Sequence, residues 1–248
     1  MRRTRARRLS AVAAACAEVV QMYERWGMQA MRLTDMPLFP LGSLLVPNME
    51  LPLRIFEARY REMIGKCLTG DRRFGVVLIR EGLEVGETAS PYEVGTVAEI
   101  VQAARSEDGQ IFIVTEGRER FRIVERFYDR EYLHGTVEFL DESLGLSENA
   151  SPLADEGRDL ALQYIGILLR LGDEEDGVEI TLPADPLELS YKIVHLLQVP
   201  DIERQQLLEA GSAEERLRLE VQILRREVMI LERMASISTQ DDSFFSAN

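Results

Sequence analysis

The sequence predicts an α+β fold, a β-rich half followed by a helix-rich half, and three observations carry that expectation. Five segments between residues 74 and 140 are dense in Val, Ile, Phe and Tyr and are parted by turn chemistry. From residue 151 onward, helix-starting residues precede runs with helical spacing. Between residues 36 and 64 (MPLFPLGSLLVPNMELPLRIFEARYREMI), two proline-broken apolar runs lead directly into one amphipathic helix.

Taken in order, residues 1–36 form a basic extension that begins MRRTRARR and continues into an alanine-rich run. Three readings fit it: an amphipathic helix, an export or lipoprotein signal with Ala15-Cys16-Ala17 as its cleavage site, or a start upstream of a true initiator at Met31 or Met36. An appendage or a misassigned start is favoured. Pro40, Pro47 and Pro52 each remove a backbone donor, so Leu38–Leu53 is expected to form short edge strands or extended segments. Phe56, Tyr60, Met63, Ile64 and Cys67 then fall on one helical stripe that packs on those strands.

Strands are expected over 74–79, 94–103, 110–115, 121–127 and 132–140. Asp108-Gly109 supplies the positive φ of a tight turn and makes the strands on either side antiparallel neighbours. Gly82, Gly86 and Ser90-Pro91 mark a longer acidic loop, the expected mobile edge of the β half. The polar run from Asp141 to Ser151 is the domain boundary, dividing a β domain (37–143) from a helical bundle (144–237), with a disordered tail at 238–248.

Helix starts are read at Ser151-Pro152, at Asp185-Pro186 with Glu188, at Asp201 as a cap, and at the capping box Ser212-x-x-Glu215. The last helix is the longest, with Leu217, Val221, Leu224, Val228 and Leu231 on one face, and Ser236–Asn248 is expected to fray. Leu219, Ile223 and Ile230 widen its apolar surface. Burial in the bundle is one reading of that width, and a homodimer through this C-terminal helix is the other.

Composition bounds the function. A hydrophobic content of 46% with 29% charged residues is that of a soluble globular chain, and no apolar run approaches the ~20 residues of a membrane helix. The net charge is −14; seven Arg against Glu18, Glu24 and Asp35 make residues 1–36 +4, so the remainder carries −18. Such a body repels phosphate backbones and argues against nucleic acid. Arg72, Arg73, Arg118, Arg120 and Arg122 could still build a local basic strip, although surface arginines in turns are the simpler reading. Cys16 and Cys67 make no disulfide framework, which points to a reducing cytoplasm. His134 and His195 lack Cys or His partners at zinc spacing, and neither is placed near a nucleophile such as Ser43 or Cys67. Asp173-Glu174-Glu175-Asp176-Gly177 lacks the alternating ligands of a calcium loop. No cofactor, metal or catalytic set is therefore assigned.

The pieces Leu38-Phe-Pro-Leu41, Leu51-Pro-Leu-Arg-Ile-Phe-Glu-x-Arg-Tyr60, Asp71-Arg-Arg-Phe-Gly75 and Gly117-x-x-Arg-Phe121 resemble the amino-terminal substrate-binding domain of Lon proteases, from about Pro37 to about Arg226. The resemblance implies a PUA-like, strongly bent β pseudo-barrel followed by a helical bundle, a unit that in full-length Lon precedes an ATPase and a protease. A P-loop requires Gly-Lys-Ser/Thr, and the single Gly-Lys pair here, Gly65-Lys66, runs into Cys67. A Ser-Lys protease needs a lysine, and the sequence holds only Lys66 and Lys192, both among helical core positions.

What remains is noncatalytic recognition of exposed apolar segments in unfolded or client proteins, as an adaptor or chaperone-like factor beside an ATP-dependent protease. Phe39, Leu41, Leu45 and Leu53, with Arg54, Arg59 and Tyr60 nearby, are the expected peptide-binding residues. The rivals are a PUA-like RNA-binding module, which would need a continuous positive face, and a small-molecule enzyme using the barrel mouth, which would need a closed pocket with convergent polar groups.

Overall fold

A computed structural model of the protein describes residues 32–82, 89–107, 109–142, 150–172 and 181–245. The readings made for residues 1–31, the loop at 83–88, the stretch 143–149 and the acidic loop at 173–177 fall outside them. Seven strands are followed by helices: β1 (Arg32–Leu41), β2 (Glu50–Ile55), β3 (Arg73–Glu81), β4 (Ser90–Pro91), β5 (Val94–Arg105), β6 (Ile111–Phe127) and β7 (His134–Phe139), with α1 (Ala58–Thr69) between β2 and β3. After β7 come α2 (Ala150–Leu171), α3 (Pro186–Leu196), α4 (Asp201–Glu209) and α5 (Ala213–Phe245). The mixed α+β architecture is the one expected.

The strands run in the order β1-β7-β6-β5-β3-β4, and β2 adds to β6. A parallel pairing of β1 with β3, Leu38 opposite Gly75 through Leu41 opposite Leu78, joins the two flanks and closes β1-β7-β6-β5-β3 into a ring. Closure removes the unpaired edges that a flat sheet would present. Leu38–Leu53 was expected to hold only short edge strands, but β1 is ten residues long and has strand partners on both sides. Pro40 lies opposite Val77 in the parallel pairing with β3, where it has no N–H to give.

The Gly117-x-x-Arg-Phe run, read from sequence as a turn, instead lies inside β6, which continues for 17 residues. Register shifts against β5 between Thr96 and Ala98, and between Ile100 and Gln102, bend both strands and let one long hairpin wrap the barrel. At Gly117 the carbonyl accepts from Asn48 N at 2.8 Å and the amide donates to Met49 O at 2.8 Å. That grip presses Val46 against the glycine Cα, so a Cβ there would lie on the Val46 carbonyl oxygen. The strands on either side of Gly109 are antiparallel neighbours as expected, with Gly109 at φ +81° and its amide on Ser106 O at 3.0 Å, while Asp108 lies outside the described residues.

α1 buries Tyr60, Met63, Ile64 and Cys67 against Phe39, Phe74 and Ile100. Phe56 was placed on the same stripe, but the helix begins only at Ala58 and Phe56 is 51% exposed. Burial pushes the Cys67 thiol up to about 11, with Asp71 adding to the shift, which leaves it an inert core group.

The helices lie on the barrel wall: Leu44, Val46, Leu78 and Val94 share one core with Tyr164, Ile167, Leu189, Ile193, Leu217 and Leu224. α2 and α5 run in the same direction, since Glu156 pairs with Arg225 and, seven residues on in both, Gln163 bonds Glu232 at 2.8 Å. The Asp185 cap is present, its carboxylate accepting from Leu187 N at 2.9 Å and Glu188 N at 3.0 Å. Ser212 accepts from Glu215 N at 3.1 Å, and the Glu215 carboxylate reaches back to Gly211 N at 2.8 Å. Asp201 does not cap: it is the first residue of α4 and pairs with Arg204 at 2.9 Å. Ser151 does not cap either, because α2 already includes it. α5 runs on to Phe245 rather than fraying at Ser236, in keeping with a stretch that holds neither Gly nor Pro from Ala213 onward.

Candidate functional site

The register of β2, β6 and β5 stacks side chains in rows across the sheet: Arg54-Phe112-Ala104, Pro52-Val114-Gln102 and Glu50-Glu116-Glu99. Directly opposed residues share a face, so the three rows form one outward surface. The first two rows floor an open groove of about 390 Å³ together with Leu53, Ala103 and Ile113. Phe112 is 45% exposed at its centre, beside exposed Ala103 and Ala104.

One side of this surface is an open strand edge. β3 follows β5 only as far as Arg73 opposite Glu99, after which Ile100 N donates to Arg72 O at 2.9 Å and Arg72 Nε to Ile100 O at 2.9 Å. Arg72, at φ +64°, turns its chain away there. From Val101 to Arg105 β5 is exposed, and β6 is its only strand partner among the described residues. On the opposite side, β2 is blunted by Pro52, which has no N–H to offer.

Of the expected peptide-binding residues, the structure brings Leu53 and Arg54 to this groove. Leu53 is half-buried, and Arg54 is exposed and donates to Gln110 Oε1 at 2.5 Å. Phe39, Leu41, Leu45 and Tyr60 are buried in the barrel core, the Phe39 and Tyr60 rings 4.1 Å apart. β1 lies between two strands, and its Phe39 and Leu41 share one core with α1. Arg59 lies 4.5 Å over the Tyr60 ring and pairs with Glu57 at 2.9 Å, away from the groove lining. Phe112, Val114, Ala103 and Ala104, which also line the groove, were not among those expected. The signal was present in Ile111-Phe-Ile-Val-Thr115, a strand apolar on both faces where a half-solvated strand should alternate.

The arginines are largely spent. Arg118 binds Glu99 at 2.8 Å and Glu116 at 2.9 Å, and Arg73 lies 3.5 Å from Glu99. Arg118 thereby holds the Glu99 carboxyl below the usual carboxylate range. Arg72 is tied to a carbonyl and Arg120 is buried, so no continuous basic strip forms among these residues.

A second cavity, of about 450 Å³, lies where the barrel meets the helices and is lined in part by Arg120, Glu142 and Tyr191. Arg120, 1% exposed, donates Nε to Glu142 and Nη1 to Leu208 O at 2.5 Å and Ala210 O at 2.8 Å. Tyr191 donates its hydroxyl to the same carboxylate oxygen, and the buried Arg216 stacks 3.9 Å over the Tyr191 ring. Arg216 Nη2 is 3.5 Å from Glu142 Oε2, an ion pair without a hydrogen bond. Burial pushes the Glu142 carboxyl up, but Arg120, Tyr191 and Arg216 together outweigh it and hold it below the ordinary range. These convergent groups are directed at one another, which makes the cluster a structural joint.

Glu220, one turn beyond Arg216, is fully buried and neither carboxylate oxygen has a hydrogen-bond partner among the described residues. Burial drives its carboxyl well above the usual range against the opposing pull of Arg216. A raised folded value means that stability is intact below the ordinary carboxylate range and falls as pH rises toward the folded value. Glu220→Gln is expected to remove that loss and to stabilise the protein at pH 7 by on the order of 1 kcal/mol. Urea denaturation between pH 4 and pH 8 checks it, and an unchanged pH slope would contradict the assignment.

A third cavity, of about 570 Å³, is lined in part by the buried His134. Its Nε2 lies 2.6 Å from Asp129 and its Nδ1 2.7 Å from Asp35, while Arg130 pairs with Asp35 at 2.8 Å. Among the described residues, neither Ser nor Cys lines it. At His195, burial pulls the imidazole down, and the charges of Lys192 and Arg204 add to the shift. Among the described residues no group of three or more His, Cys, Asp or Glu side chains could hold a metal ion, and no helix is long and apolar enough to cross a membrane.

Residues 35–226 match the family described as the ATP-dependent protease La (LON) substrate-binding domain. The chain is 27% identical over 213 residues to "Lon protease 2" of Herpetosiphon aurantiacus, covering 83% of this chain and 25% of that protein. It is 29% identical over 209 residues to "Lon protease 2" of Myxococcus xanthus, covering 79% of this chain and 24% of that protein. The chain thus spans about a quarter of the length of these relatives. Among solved structures, the Lon N-terminal domain protein from Xanthomonas campestris superposes with a TM-score of 0.54 at 25% identity, covering 75% of this chain and 96% of that one. The N-terminal domain of the Mycobacterium avium complex Lon protease gives 0.58 at 18% identity, over 77% and 98% respectively, a likeness of fold.

Proposed function

Because the chain belongs to the family of Lon substrate-binding domains, we propose that it recognises extended, apolar segments of unfolded or client proteins through the β2-β6-β5 groove and holds them without chemistry of its own. The observation that carries this reading is the exposed Phe112, flanked by Pro52, Val114 and Ala104 and lying beside an open strand edge. A segment crossing the floor gains apolar contact from Phe112 and its neighbours, and where it reaches Val101–Arg105 it meets open main-chain donors and acceptors. Burial at ~25 cal/mol per Å², set against the ordering of a flexible segment, makes each such contact weak and broad. The named relatives are proteases, so delivery of held segments to an ATP-dependent protease is the natural role for a module of this kind.

Phe112→Glu tests the reading directly, because it sets a charge in the floor of the groove while leaving the core untouched. Affinity for a fluorescein-labelled apolar decapeptide, read by anisotropy, is expected to fall at least ten-fold with the thermal midpoint unchanged. Undiminished binding by this variant would overturn the groove as the site.

A further inference from the structure

The groove is electrically uneven along its length. At one end Arg54 projects from the Phe112 row, with its Nε on Gln110. At the other, four residues back along β2 and so about 14 Å away, Glu50, Glu116 and Glu99 stand side by side in one row. Like charges directly opposed across strands repel, and two arginines relieve only part of the row. Arg118 takes Glu116 and Glu99, and Arg73 takes Glu99 again. Glu50 is exposed and makes no ion pair among the described residues, so the row keeps one uncompensated negative charge next to Pro52 and Val114. The field of the whole chain, at −14, has the same sign.

We propose that the segment this groove accepts is cationic as well as apolar: an extended stretch of two or three large apolar residues with a Lys or Arg at the end that lies over Glu50. The inference rests on the groove being the binding site and adds a charge rule to it. An apolar floor by itself takes any greasy segment. The carboxylate row adds attraction for basic flanks and repulsion for acidic ones, and discrimination arises as much from what is repelled as from what is held. The long-range field also speeds the encounter with basic segments and is screened by salt.

Three labelled decapeptides with the same apolar centre and a flanking Lys, Gln or Glu pair, titrated into the full chain at about 20 mM and 300 mM salt, test the rule. The Lys peptide is expected to bind about five-fold more tightly than the Glu peptide at low salt, with the gap shrinking at high salt. Glu50→Gln should narrow the gap and Glu50→Lys should reverse the order, with thermal midpoints unchanged because residue 50 is exposed. Equal affinities for all three peptides, still lost in Phe112→Glu, would overturn the charge rule and leave the groove standing. Binding that keeps its charge preference in both Glu50→Lys and Phe112→Glu would place recognition elsewhere and overturn both readings.

Discussion

Replacing Glu142 with Ala is expected to cost about 3 kcal/mol or more at pH 7, because the side chain is the one anion between two buried arginines. Arg120 comes from β6, Tyr191 from α3 and Arg216 from α5, and all three converge on this carboxylate at the end of the last barrel strand. Its loss leaves Arg120 with two carbonyl partners and Arg216 with the Ser190 hydroxyl and the buried Glu220, so both guanidinium groups lose the carboxylate they share. The folded carboxyl titrates below its ordinary value, so its contribution is present above the usual carboxylate range and disappears as pH falls through the depressed value. The stability gap between the native chain and Glu142→Ala should therefore close as the solution is acidified. Urea midpoints at pH 7 and at pH 3 to 4 read this directly, and a gap of constant size would show that the carboxylate acts by shape rather than charge.

Gly117→Ala is the second large effect. A methyl group at this position would meet the Val46 carbonyl oxygen and the Pro47 backbone, neither of which can move without breaking the paired bonds from Asn48 and to Met49. A loss on the order of 3 kcal/mol or more is expected. Gly65→Ala in α1 is the matched control. A Cβ there meets nothing within 4 Å, and Ala in a helix interior gains about 0.5–1 kcal/mol over Gly. Opposite shifts in thermal midpoint for the two variants would locate the effect in the contact with Val46 rather than in glycine chemistry generally.

Much of this architecture could be read from residues. The strands, the Asp-Gly hairpin, the Asp185 and Ser212 helix starts and the buried stripe of α1 and α5 all follow from period and capping, which act over a few neighbouring residues. What could not be read depends on distant pairing. Gly117-Arg118-Glu119-Arg120 has the composition of a turn and becomes a strand because β5 supplies a ladder on one side, while Asn48, Met49 and Leu140 bond Gly117 and Arg120 on the other. Phe39, Leu41 and Leu45 look like excess apolar surface until β3 and α1 cover them. Conversely, Phe112 looks like core until the register shows that its face of the ribbon is uncovered. Arg120 and Arg216 have the look of surface arginines, and only the meeting of β6 with α5 buries them around one acid.

The seam between β1 and β3 also sets a timetable for synthesis. The ring needs β7 as well, and Phe139 lies almost one hundred residues downstream of Leu41. At ~5–20 residues per second, a ribosome takes about 5–20 s to travel between them. As β3, β5 and β6 are added during that interval, their inward faces and that of β1 belong to an open ribbon, sticky and unsealed until the final stave is delivered.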